Sequence, residues 1–203
     1  AAADTMPYLP VMPVHGNHEA MSNTYFDQFV LPDDERNYSF DFGMTHWSIF
    51  LDNTKDLIQA ARPWLEEDLA NSDAIWKIVV SHKPFYSSVK DPDPVEATPT
   101  PYLLEVIEKG GVTMTFAGHK HNYERTHPLL NGQVVENGKG IVHHVTGGAG
   151  APLYDFAEEQ FFTAKREKVY HMIICDITPH MMKATVKAVN GAIIDEYVVY
   201  PRQ

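Results

Sequence analysis

Cysteine is almost missing from this chain. Cys175 is the only one in 203 residues, so no intrachain disulfide can staple the fold. It lies in the apolar run His171-Met172-Ile173-Ile174-Cys175-Asp176-Ile177, which reads as a buried structural thiol rather than a reactive one and leaves the redox compartment open. Positive charge is scarce as well. Sixteen Lys and Arg face 27 Asp and Glu, a formal net charge of −11 with His neutral, which repels nucleic-acid backbones and gives no reason to expect a membrane partner. No membrane-crossing run, internal repeat or low-complexity tract is present. The opening Ala1-Ala2-Ala3 has neither a basic n-region nor an apolar h-region, so a targeting signal is expected to be absent or removed. Lacking an initiator Met, the chain reads as a processed or excised piece. What it does have is 44% hydrophobic and 21% charged residues, enough apolar material for one globular domain or most of one. A single partial domain over 1–203 is expected, with a loose lead-in over 1–10 and a β-rich part over 141–203.

The stretch that organises the rest is Phe116-Ala117-Gly118-His119-Lys120-His121-Asn122-Tyr123-Glu124-Arg125. It follows Val112-Thr113-Met114-Thr115-Phe116, a β-branched and aromatic run that predicts a buried strand. Two histidines at i and i+2 after a strand, with a glycine before them to allow a sharp turn, can point into one cavity at the strand's carboxyl end. Two other segments end alike. Val11-Met12-Pro13-Val14 runs into His15-Gly16-Asn17-His18-Glu19, and Ile75-Trp76-Lys77-Ile78-Val79-Val80 into Ser81-His82-Lys83-Pro84. Three strands are thus expected to deliver imidazole or amide ligands to one edge.

Taken in order, Val11–Val14 is expected to be a first buried strand, and Asn23 to cap a short helix through Phe29 that ends in the turn Pro32–Glu35. Tyr38–Phe42 and Thr45–Leu51 flank Gly43 as a hairpin. Leu57, Ala60, Ala61, Trp64, Leu65 and Leu69 form a helical stripe over 56–70, with Pro63 discordant enough to mark a fresh helix start. The proline-rich 91–101 reads as an extended loop on the ligand-bearing edge. Tyr102–Lys109 is a helix closed by Gly110-Gly111. Strands follow over Ile141–Thr146, Val169–Ile177, Met181–Val189 and Ala192–Val199, the last two joined at Asn190-Gly191.

Asn17 offers an amide oxygen, and His82, His119 and His121 offer imidazole nitrogens, a set that suits Zn, Fe, Mn or Co better than Ca or Mg. A cation with open positions there makes hydroxide available near neutral pH and polarises a phosphoryl oxygen. A pair about 3.5–4 Å apart clamps both attacking and leaving oxygens. His18, next to Asn17, stands where a general acid for the leaving oxygen belongs, and Glu19 can orient its ring or be a solvated neighbour. Tyr86, Tyr123 and Arg125 are candidates to touch a phosphate or its ester group, with aromatic packing and an ion pair equally open. His46, His127, His171 and His180 have no ligand spacing and read as structural or solvated. His143 and His144 alternate faces, so one at most points inward, and His15 reads as a rim residue.

Gly16-Asn17-His18-Glu19, Val79-Val80-Ser81-His82 and Gly118-His119-Lys120-His121 resemble the last three of the five motifs of calcineurin-like metallophosphoesterases. Their flanks, Tyr38-Ser39-Phe40-Asp41, Trp64–Leu69, His82–Ser88, His121–Thr126 and Thr146–Gly150, resemble the purple acid phosphatase branch. The resemblance covers residues 11 to 200. It implies an α/β (α+β) fold, a four-layer α/β/β/α sandwich, and hydrolysis of phosphate esters, monoesters first and diesters as the alternative, by a metal-bound hydroxide at a dinuclear centre. By the family's pattern Asn17, His82 and His119 hold the divalent ion, His121 the second, usually ferric, ion, and His18 contacts phosphate and gives the proton. The ions implied are Fe with Zn, Mn or Fe. The family's two earlier motifs, an Asp-x-Gly or Asp-x-His strand end and a Gly-Asp-x-x-Tyr loop, have no counterpart upstream of Gly16, nor do the paired histidines after the His82 motif. The chain alone is therefore expected to bind one metal or none, and to be a non-catalytic metal-binding fragment or nearly so. An exposed sheet edge is expected to invite a homodimer.

Overall fold

The computed structural model describes residues 8–19, 22–90 and 98–202. Much of the proline-rich stretch, 91–97, and most of the lead-in, 1–7, lie outside them. A short helix α1 (Asn23–Gln28) is capped by Ser22, whose side chain accepts from the Thr24 amide, and not by Asn23. The hairpin β1 (Tyr38–Phe42) and β2 (Thr45–Ile49) pairs Tyr38 with Ile49 through Phe42 with Thr45. Helix α2 (Lys55–Asn71), with Thr54 as N-cap, runs unbroken through Pro63. Pro63 and Gln59 are both exposed, so the carbonyl that the proline ring leaves without a helical donor can be hydrated, and no restart is needed. The buried stripe is Ile58, Ala61, Leu65 and Leu69, with Ile58 in place of the expected Leu57 and Ala60.

Strand β3 (Trp76–Ser81), helix α3 (Thr100–Lys109) and strand β4 (Met114–Ala117) follow. Helix α3 starts two residues before the expected Tyr102, since Pro101 fits the first helical turn, where its missing N–H costs nothing. Then come β5 (Tyr123–Thr126), the small hairpin β6 (Leu129–Leu130) and β7 (Gln133–Val134), β8 (Val142–Thr146) and β9 (Thr163–Glu167). The chain closes with β10 (His171–Ile177), β11 (Met182–Ala188) and β12 (Ile193–Val199). The large sheet has the order β1-β2-β3-β4-β8-β5-β9, and β10-β11-β12 form a second sheet. Within the large sheet β2, β3, β4 and β8 are parallel neighbours. Their carboxyl ends therefore lie along one edge.

Two cores hold the layers together. Phe50, Ile58, Leu65, Leu69, Val79, Leu103 and Ile107 pack the helices onto one face of the large sheet. Trp76, Ile78, Met114, Val142, Met182 and Val199 join its other face to the small sheet, with Cys175 partly buried against them. This is a helix layer on two stacked sheets, three of the four layers that the resemblance implies. Among the described residues no helix lies on the outer face of the small sheet, where Met172 and Ile174 are exposed.

The expected strand Val11–Val14 is not formed. Those residues have no ladder partner among the described residues, and an extended segment becomes a strand only by pairing. They are held in another way: Met12 and Val14 pack on Tyr25, Leu31, Tyr38 and Ile49, and the Pro13 carbonyl accepts from the hydroxyls of Tyr25 and Tyr38 at 3.0 and 2.6 Å.

Candidate metal centre

Because β3 and β4 run parallel, the residues just beyond them meet. His82 follows β3, and His119 follows β4 in a loop drawn tight by the Lys120 N–H donating to the Gly118 carbonyl at 2.6 Å. His119 adopts a left-handed φ of 61°, unusual for a residue with a Cβ and the kind of strain kept where a side chain must be aimed. Asn17 opens a single 3₁₀ turn, Asn17–Glu19. These three converge: His82 Nε2 is 2.7 Å from Asn17 Oδ1 and 3.0 Å from His119 Nδ1. Burial pulls the His82 pKa down to about 3, helped by neighbouring His119, Lys83 and His18. The imidazole is thus held neutral, the form that can donate a lone pair to a metal. One amide oxygen and two imidazoles brought together in this way fit a single transition-metal cation. Among the described residues no group of three or more His, Cys, Asp or Glu could hold a metal, and the trio itself contains no carboxylate.

Close packing sets these rings. A Cβ on Gly16 would fall 2.7 Å from His82 Cε1, so only glycine lets that imidazole lie against the Asn17 loop. The Gly16 N–H donates to Glu19 Oε2 at 2.6 Å. Glu19 therefore fastens its own turn, a role beside the two left open for it, orienting His18 or standing as a solvated neighbour. His18 is exposed and near enough to act electrostatically on His82.

His121 is not part of the hydrogen-bonded trio. Its Nδ1 lies 2.9 Å from the Pro152 carbonyl oxygen and its ring stacks on Tyr154 at 4.3 Å. Tyr123, expected at the substrate, is fully buried, and its hydroxyl donates to Asp195 at 2.8 Å. Alternation along β5 turns it toward the small sheet, where Arg125 also bonds Asp195 and lies over the Tyr197 ring. Tyr123 and Arg125 thus join the two sheets. Tyr86 packs on His143 and Phe162.

Other histidines are also buried more deeply than expected. His15 is only 4% exposed, packed on Tyr25 and Phe26, because the aromatic helix α1 folds over the loop. His143 and His144 are both buried, since β8 is a central strand covered on both faces. His46 bridges Asp41 and Asp68 at 2.8 and 3.0 Å, a structural role.

Sequence reading overlooked Asp52 and Asn53. Asp52 is fully buried, and its Oδ2 accepts from the Lys83 N–H at 2.5 Å. Burial raises its pKa to about 7, against the backbone donors and Lys83, which lower it. Asn53 Nδ2 reaches His15 Nδ1 and the Gly16 carbonyl, each at 2.9 Å. The signal was available, because polar residues directly after the apolar run Trp47–Leu51 sit at the end of one more parallel strand.

The calcineurin-like phosphoesterase family model matches residues 2–123. Acid phosphatase type 7 of mouse is 31% identical over 95% of this chain and 53% of its own length. The human protein of the same name is 32% identical over 70% of this chain and 40% of its own. The chain thus spans about half the length of these relatives or less. A purple acid phosphatase from yellow lupin seeds superposes with a TM-score of 0.73 at 24% identity, covering 86% of this chain and 34% of that one, a likeness of fold.

Proposed function

Because this chain belongs to the calcineurin-like phosphoesterases and is homologous to the purple acid phosphatases, we propose that the whole protein hydrolyses phosphate monoesters at a dinuclear metal centre. The observation that carries this reading is the convergence of Asn17, His82 and His119 beyond two parallel strands. These three would hold a divalent cation and His121 would contribute to a second, of the Fe with Zn, Mn or Fe kind. When bound, the cations supply Lewis acidity to the phosphoryl group. The chain's own residues bind, orient and move the proton. His18, exposed beside Asn17, holds the proton that neutralises the departing ester oxygen. Gly16 and Glu19 keep its turn in place. Substrate is a small phosphate ester, and neither nucleic acid nor membrane enters the reading.

The ligand assignment is tested by His119→Ala, which should strip the tighter metal site, measured as metal content of the purified variant. Unchanged content would sink it. Turnover by the whole protein of an aryl phosphate monoester against its bis-aryl diester tests the substrate class, and preference for the diester would replace monoester by diester hydrolysis. A second reading, a metal-binding chain with little catalysis of its own, is favoured by the lack of a carboxylate in the trio.

A further inference from the structure

The Asn17 and His82 loops come from parts of the chain 65 residues apart, yet their donor atoms must meet within a few tenths of an ångström to share one cation. Neither loop touches the other through a backbone ladder. What touches both is the segment just beyond β2. The parallel pairing of β2 with β3, Ile49 against Val80, puts that segment beside the residues after β3, and the Phe50 N–H donates to the Val80 carbonyl. One step on, the Asp52 carboxylate accepts from the Lys83 N–H, and Lys83 Nζ donates to the Asn53 carbonyl at 3.0 Å. On its other side the Asn53 amide donates to the Gly16 carbonyl and to His15 Nδ1. The bonds to Lys83 fall immediately after His82, and the bond to Gly16 immediately before Asn17.

Keeping a carboxylate fully buried costs free energy, more so here because Asp52 Oδ1, like Asn53 Oδ1 and His15 Nε2, has no hydrogen-bond partner among the described residues. An apolar residue there would avoid that cost, so what the carboxylate contributes is the grip on the Lys83 amide. A buried acceptor gripping one loop and, on the next residue, a two-fold donor gripping the other form a bracket whose width sets the gap between the loops.

We propose that Asp52 and Asn53 are positioning residues that hold the Asn17 and His82 loops at the spacing one metal ion requires. This makes the end of β2 part of the centre although it supplies no ligand. The inference rests on the metal-centre reading above, and its test separates the two. In the 203-residue chain, zinc affinity is measured by competition with a chromophoric chelator for the parent, Asn53→Ala, Asp52→Ala and Asn17→Ala. Val186→Ala, in the core of the small sheet and away from the site, serves as a control for general loss of stability. Asn53→Ala and Asp52→Ala should weaken zinc binding about 10–100-fold, the usual effect of removing a residue that orients a ligand, while Val186→Ala stays within about twofold of the parent. Equal losses in all three would overturn the bracket and leave general destabilisation. A second arm needs no metal. In the metal-free chain, hydrogen exchange of the Lys83 amide should speed up about tenfold or more in Asp52→Ala, since the buried side-chain acceptor of that amide is lost, and remain unchanged in Val186→Ala. Unchanged protection of that amide in Asp52→Ala overturns the proposal whether or not zinc binds. If instead Asn17→Ala binds zinc as the parent does, the metal-centre reading fails, and the exchange arm still decides the bracket.

Discussion

Histidine 18 and glycine 147 show how differently single residues can matter at this site. His18 lies exposed next to Asn17, so its removal should leave metal content intact and lower turnover of the whole protein about 10²–10⁴-fold, the usual contribution of a general acid. The loss should shrink for esters with good leaving groups. Metal analysis alongside kinetics checks this, and loss of metal would make His18 a ligand. Gly147 instead lies against the backbone of the His119–His121 loop. A Cβ there would overlap the Lys120 carbonyl oxygen and come 2.9 Å from its carbon, and backbone cannot swing aside as a side chain can. Gly147→Ala should therefore displace the His119–His121 loop and lower zinc affinity of the chain. Gly140→Ala is equally crowded but by Leu129 and Val135, and it should cost stability without affecting metal. Equal zinc affinity in both variants would show that the loop tolerates the shift. The meeting of His82 and His119 was legible because each follows a hydrophobic strand. Tyr123 was misread because a motif's neighbours carry no record of which face of β5 they occupy.

At the scale of elements, the strands and helices that carry their own periodicity were legible: the β1–β2 hairpin, α2, and the β11–β12 hairpin turning at Gly191 with φ 85°. What was not legible depends on partners distant in sequence. Val11–Val14 has strand composition but no ladder. Strands β5 and β9 are polar enough to pass for loops and exist because they pair with each other, β5 pairing also with β8 on its other side. The central placement of β8 also decides a pH dependence. His143 and His144 are buried, and burial pulls both pKa values down to about 3 from an ordinary 6.5. Between those values the unfolded chain binds more protons than the folded one. Stability is therefore fully present above pH 6.5 and lost as pH falls through the window, by up to about 1.4 kcal/mol per pH unit for each group. His46, raised by Asp68 and Asp41, works in the opposite sense, its contribution fading as pH rises past 6.5. Urea midpoints at pH 7.5 and pH 5 should fall for the parent chain and fall less for His143→Phe. Equal falls would mean that burial of His143 does not control the acid limb.

For the molecule as a whole, the question is how many cations this chain can hold. Two doubly charged ions about 4 Å apart repel by roughly 16 kcal/mol at an effective dielectric of 20, four times the value for unit charges. A bridging carboxylate between them would offset much of that. Among the described residues, two carboxylates beside the trio are engaged elsewhere, Glu19 by the Gly16 N–H and Asp52 by the Lys83 N–H. A second cation would rest on His121, whose Nδ1 already meets the Pro152 carbonyl, and a single imidazole falls far short of that repulsion. The chain should therefore bind one zinc per molecule, through Asn17, His82 and His119. With one Lewis acid and no bridge to place a nucleophile, its aryl phosphate hydrolysis should run orders of magnitude below that of the whole protein. Metal stoichiometry by mass spectrometry under native conditions, read with turnover on the same sample, decides the matter. Native mass also reports any homodimer formed through an exposed sheet edge, which matters because a second copy is one source from which a missing carboxylate could come. Two zinc ions in a monomer with ordinary turnover would overturn the argument. Two ions in a dimer alone would place the missing bridge on the partner.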